Sequence, residues 1–166
     1  MSSTTSNAGP RQDTFWWGNG QMEIKARAED TGGVIGVVEG RFFEKGYGPP
    51  LHIHRREDEA IYVLEGQIRF HVGDDEFVAG PGTWVWQPRD VPQAFSVESE
   101  SAHVLVVFTP GGIERMFEDG GVPVGESTRA PQQQAGPEAA AAFAKRFGFE
   151  VVEPPALPGL EAEPFQ

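Results

Sequence analysis

From about residue 20 to residue 110 the chain is a series of short β-like runs separated by turn signals, with no helical stretch between them. "MEIKARA" sets Met22, Ile24 and Ala26 against Glu23, Lys25 and Arg27, the alternation of a half-buried strand. "GVIGVVEGRFFEK" follows, and then "AIYVLEGQIRFHVGDDEFVAG", where Glu65-Gly66 and Gly73-Asp74-Asp75 mark turns. "GTWVWQP" and "HVLVVFTP" bring the strand candidates to at least seven. Gly 21 and Pro 14 make up about a fifth of the 166 residues, which favours short strands and turns over long helices. The pattern predicts an all-β domain, an antiparallel sandwich or barrel with jelly-roll topology within reach.

The flanks differ. Residues 1–14 are rich in Ser and Thr and read as a flexible arm, and 15–112 is the predicted β-barrel. Residues 113–166 carry a short helix at "GGIERMFEDGG", a linker, and a second helix at "GPEAAAAFAKRFGF". Phe143 and Phe147 lie one turn apart there, ahead of a Pro-rich tail. A formal charge of −12 argues against a nucleic-acid partner, which needs clustered Lys and Arg. No apolar run is long enough to span a bilayer, and no basic amphipathic segment suggests a membrane surface. The N-terminus lacks the apolar core of a signal peptide, so the expected location is cytoplasmic. Without cysteine there is no disulfide, no thiolate nucleophile and no sulfur ligand.

Chemistry concentrates in "PPLHIHRREDEAIYVLEG". His52 and His54, at i and i+2 of a strand, face one side. Glu59 stands five residues on, an odd separation that the polar "RRED" can correct by a turn or bulge. Two imidazoles and a carboxylate suit Fe, Mn, Ni, Co or Zn. Arg55, Arg56, Glu57 and Asp58 read as a solvated loop.

Gly46, His52, His54, Glu59 and Gly66 fit G-x5-H-x-H-x4-E-x6-G, which resembles the first motif of the cupin superfamily. The second motif, G-x5-P-x-G-x2-H-x3-N, is kept at Gly82 and Pro88. Asp90 replaces its glycine, Gln93 its histidine and Val97 its asparagine. The resemblance covers about residues 35–110. It implies a single cupin barrel with one or two C-terminal helices, and "FTPGGIERMF" with the tail is similar to small quercetin dioxygenase-like cupins. It further implies a divalent metal on His52, His54, Glu59 and the position of Gln93, and a homodimer. A glutamine oxygen is a weaker ligand than imidazole for late first-row metals, although phosphomannose isomerases of the superfamily include one.

Trp84 and Trp86 share one strand face, which is expected to lie between the sheets. Phe95, two residues beyond Gln93, and Phe70 complete an aromatic pocket. Trp16 and Trp17 are candidates for a lid or a dimer contact. His71 is expected at the surface near a hairpin, and His103 starts a strand outside either motif.

Three functions follow from these residues. One is a metal-dependent, dioxygenase-like enzyme acting on an aromatic, polyketide or flavonoid-like small molecule. In it His52, His54 and Glu59 are catalytic, and Glu59 is also the base by analogy with quercetinases. The second is a redox-neutral cyclase, isomerase or dehydratase using the same pocket with or without metal. The third is a non-catalytic small-molecule binder. Two imidazoles and a carboxylate buried for no purpose cost several kcal/mol unless paired, which disfavours the third.

Overall fold

The computed structural model describes residues 13–125 and 137–152. The linker, the Pro-rich tail and nearly all of the N-terminal arm lie outside the described residues. The domain is two antiparallel sheets laid face to face in a jelly-roll-like arrangement, which hydrogen bonds among the described residues do not close into a continuous barrel.

The seven-stranded sheet runs β11 (Val122–Pro123), β1 (Thr14–Trp17), β2 (Gly20–Ala26), β3 (Gly36–Phe42), β10 (Ala102–Thr109), β5 (Asp58–Glu65), β8 (Trp84–Gln87). The five-stranded sheet runs β12 (Phe149–Val151), β4 (His52–His54), β9 (Gln93–Val97), β6 (Ile68–Val72), β7 (Asp75–Ala79). Period-two burial builds the core between them. On β10, Ala102, Val104, Val106 and Phe108 are buried while the residues between them are partly exposed. Val38, Ile61, Val63 and Phe70 meet these side chains from both sheets.

The alternation read in "MEIKARA" holds for Met22 and Ile24 and then breaks. A register irregularity between Ile24 and Ala26 turns Arg27 inward, where it is 6% exposed. The charge is met by Asp13, 2.6 Å from its guanidinium, and by Glu118 at 3.7 Å.

Both expected helices form: α1 (Arg115–Gly120) and α2 (Pro137–Phe147). Phe143 and Phe147 are paired, ring centroids 4.7 Å apart, and Phe143 leans on Trp17 at 5.9 Å. The loop entering α1 is fastened by Glu114, which is fully buried. Its carboxylate accepts from the backbone N–H of Ala28 (2.7 Å) and of Gly112 (2.6 Å). Gly36 makes room for it, since a Cβ there would sit 2.1 Å from Glu114 Oε2. Among the described residues no helix is long and apolar enough to cross a membrane.

Candidate metal centre

The loop at Arg55–Glu57 carries the chain from one sheet to the other, which resolves the odd spacing of Glu59. His52 and His54 lie on β4 of the five-stranded sheet, and Glu59 lies on β5 of the facing sheet. Directly paired strand residues point the same way, so cross-strand partners follow the ligands inward. Gln93 is paired with His52, while Gln87 and Phe108 are paired with Glu59.

One donor atom from each of His52, His54 and Glu59 lies within 4.8 Å of the others. His52 Nε2 and His54 Nε2 are 3.1 Å apart, and His54 Nε2 is 3.4 Å from Glu59 Oε2. Two ligand atoms about 2.1 Å from a shared ion and about 95–110° apart would be separated by roughly 3.1–3.4 Å. Both the spacing and the donor set therefore fit a divalent first-row ion.

The electrostatics agree with the crowding. Burial pushes His52 down to about 4, helped by the nearby His54 and opposed by its bond to the Pro50 carbonyl. His54 suffers the same desolvation, but Glu57 and Glu59 outweigh it and raise its pKa above the ordinary histidine value. Burial raises Glu59 most strongly, against the lowering pull of His54 and of a hydrogen bond from Gln93.

Gln93 is wholly buried, and its Nε2 donates to Glu59 Oε2 at 2.7 Å, leaving its own Oε1 without a partner. In this rotamer the glutamine holds the carboxylate through its amide nitrogen. Asp90, at the other departure from the motif, has φ 63 and is the one non-glycine residue of positive φ among the described residues. Aspartate tolerates that conformation, so the turn survives the loss of glycine.

A cavity of about 300 Å³ opens on the three donors, walled by Phe42, Tyr47, Phe95, Phe108 and Phe117 among others. Tyr47 donates to the Trp17 carbonyl at 2.7 Å, and burial pushes its phenol up to about 12. Phe95 lies on this wall as expected from its position. Phe70 does not: it is fully buried behind Phe95, centroids 6.2 Å apart. Trp84 and Trp86 do share a face, but it is the outer one, where they are 54% and 48% exposed. The register decides this. Gln87 pairs with the inward Glu59, so the alternate residues of β8, Trp86 and Trp84, point away. Gln87 lines the cavity in their place, 2% exposed and with Oε1 unpartnered.

Trp17 lines the cavity, while Trp16 packs on Phe43 at 6.1 Å. His103 is bonded to Glu39 at 2.7 Å on the far side of β10, and His71 sits in the β6–β7 hairpin opposite Glu76. Neither joins the cluster. In the loop read as solvated, Arg55 reaches Asp90 and Glu150, and Asp58 binds Arg89. Glu57 departs from that reading: it is turned inward and 5% exposed, with Oε2 3.8 Å from His54 Nδ1. Nothing in the polar "RRED" run distinguishes it from its solvated neighbours.

The cupin domain family matches residues 41–108. A quercetin 2,3-dioxygenase of Bacillus subtilis (strain 168) is 20% identical over 121 residues, 72% of this chain and 35% of that protein. The chain therefore spans about a third of the length of the curated relative it matches. An RmlC-like cupin from Shewanella frigidimarina NCIMB 400 superposes with a TM-score of 0.53 at 18% identity, covering 64% of this chain and 93% of that one. A Bacillus subtilis oxalate decarboxylase with Mn(II) centres gives 0.53 at 21% identity, covering 67% and 30% respectively. At these identities the solved structures speak for the fold.

Proposed function

The chain belongs to the cupin superfamily, and from that premise we propose that it is a metal-dependent enzyme acting on an aromatic, polyketide or flavonoid-like small molecule in a dioxygenase-like reaction. The observation that carries this reading is the convergence of three donor atoms at the wall of an aromatic cavity of about 300 Å³. That volume lies at the small end of ligand sites, so one compact ring system fills it.

His52 Nε2, His54 Nε2 and Glu59 Oε2 would hold a divalent Fe, Mn, Ni, Co or Zn. When bound, such an ion polarises a coordinated oxygen and, if redox-active, gives dioxygen a route to the substrate. Phe42, Phe95 and Phe108 flank the ring and keep water away from it. Glu59 takes the proton of a substrate hydroxyl at a carboxylate whose basicity burial has raised. Gln93 keeps that carboxylate in place through its 2.7 Å hydrogen bond.

Metal analysis of untagged protein, paired with oxygen uptake on a panel of phenolic substrates, tests the reading. Bound divalent metal and substrate-dependent uptake are expected. No retained metal, with turnover indifferent to chelator, overturns it.

A redox-neutral cyclase, isomerase or dehydratase is the second reading. It is favoured by the raised basicity of Glu59 and by a glutamine, turned to that carboxylate, in the fourth motif position. Undiminished turnover under strict anaerobiosis would select it, and ligand binding without product would select a carrier instead. Either enzyme is read as a homodimer, with the outward Trp84 and Trp86 on the edge strand β8 as the surface that a second copy covers.

A further inference from the structure

Every buried side-chain N or O atom without a partner among the described residues lies around the cluster: His54 Nδ1, Glu57 Oε2, Gln87 Oε1 and Gln93 Oε1. The first two face each other across 3.8 Å, too far for a hydrogen bond and close enough that a small side-chain rotation makes one. Glu57 lies outside the H-x-H-x4-E spacing. Burying an acidic side chain to 5% exposure without a hydrogen bond to that oxygen is costly, so its orientation needs a reason.

The other two inner residues show what that reason is. His52 Nδ1 is 2.8 Å from the Pro50 carbonyl, which only accepts, so Nδ1 carries the proton and Nε2 a lone pair. Gln93 Nε2 donates to Glu59 Oε2, the oxygen that also faces His54. The Pro50 bond thus holds His52 from its outer side, so that the Nε2 lone pair faces His54 Nε2. We propose that Glu57 does the same for His54 as a positioning residue: it takes the Nδ1–H and fixes the tautomer whose Nε2 lone pair faces the cluster. The three facing atoms, 3.1 and 3.4 Å apart along the cluster, then each present a lone pair, an arrangement that a bound cation relieves. For metal affinity the inference rests on the function proposed above, whereas the tautomer itself does not.

The test reads the His54 ring nitrogens by 15N NMR in metal-free protein near about pH 9, where imidazoles are neutral. Mn2+ titration follows on the same samples. In the wild type, His54 is expected as the Nδ1–H form. Glu57→Leu should shift it toward Nε2–H and weaken Mn2+ binding about 10–100-fold, and Glu57→Gln, which keeps an acceptor oxygen, should restore most of both. An Nε2–H His54 in the wild type overturns the proposal, as does a Leu variant with wild-type tautomer and affinity. The wild-type spectrum decides even if the Leu variant does not fold. A protein with Nδ1–H His54 that binds no Mn2+ or other divalent metal sinks the metal reading while leaving the role of Glu57 intact.

Discussion

Gln93 and Glu59 meet across the gap between the two sheets, amide nitrogen to carboxylate oxygen at 2.7 Å, with both residues buried. The bond joins β9 to β5 through their side chains, at the point where the register of each strand turns a polar group inward. Its effect on the site is indirect. An imidazole here would add a nitrogen ligand, whereas the amide spends its donor on a carboxylate already facing His54. The cluster is left with three protein donors at the wall of the cavity.

Gln93→His should therefore tighten divalent-metal binding, by about tenfold or more, because a nitrogen ligand replaces a hydrogen-bond donor. Gln93→Leu removes the donor and leaves Glu59 uncompensated. It should weaken binding and lower stability by about 1–3 kcal/mol. Isothermal titration with Mn2+ and urea unfolding read the two effects. Unchanged affinity in the histidine variant would put position 93 outside contact with the ion.

The contrast between this pair and the tryptophans shows what could be read in the sequence. The strands and the H-x-H pair follow from local period, Glu59 from its place in the first cupin-like motif and Gln93 from its place in the second. Strand alternation puts Trp84 and Trp86 on one face, but which of the two faces of β8 that is depends on its register against β5, a contact between distant segments. Glu57 was hidden for a related reason. In a run of four charged residues only the crossing between sheets decides which one turns inward. The inward turn of Arg27 depends in the same way on a bulge that the alternation of "MEIKARA" does not announce.

Metal should stabilise the fold as a ligand that binds only the native state. At about 100-fold excess over its dissociation constant the gain is about 2.7 kcal/mol. For a domain of this size that is roughly 5–11 °C in Tm. Thermal scans with added Mn2+, Fe2+ or Zn2+ should show the rise in the wild type and lose it in His52→Ala and Glu59→Ala. A shift of equal size in both variants would mean that the ion binds elsewhere.

Acid should destabilise the metal-free protein through His52. Its folded pKa lies near 4, below the ordinary 6.5, so between these values the unfolded chain binds a proton that the folded protein does not. Stability from this group is complete above about pH 6.5 and falls as pH approaches 4, by on the order of 2–3 kcal/mol given its partial access to water. His54 and Glu59, both shifted upward, oppose this trend by favouring their protonated forms in the fold. The His52 part is isolated by comparing urea unfolding of wild type and His52→Asn, in chelator, across that range. The wild type should lose stability relative to the variant on acidification, and parallel curves would refute the assignment.

Replacing Trp84 and Trp86 with serine should leave turnover and metal affinity unchanged, since neither side chain reaches the cavity. The same double change should shift a homodimer toward monomer in sedimentation velocity, because it removes two half-exposed indoles from an edge strand. A wild type that sediments as monomer at all concentrations, or a variant that remains dimeric, would remove this face from the interface.

Glu114 separates damage to the fold from damage to the site. Its carboxylate is fully buried and accepts two backbone N–H groups, one from the 3₁₀ turn at Ala28–Thr31 and one from the loop entering α1. Hydrogen bonds to a buried acceptor contribute about 0.5–1.5 kcal/mol each, and truncation also strands both donors at about 1–3 kcal/mol apiece. Glu114→Ala should therefore cost about 3 kcal/mol or more, a fall in Tm of at least roughly 6–12 °C. Gly36, which leaves space only for that carboxylate, should be equally intolerant, since Gly36→Ala would drive a Cβ to 2.1 Å from Glu114 Oε2. Neither residue lines the cavity or joins the three donors, so Mn2+ affinity per folded molecule should stay within about twofold of wild type. Calorimetry for stability and titration for affinity, on the same preparations, read the two effects apart. A large loss of affinity in a folded Glu114 variant would show that the loop before α1 communicates with the metal centre.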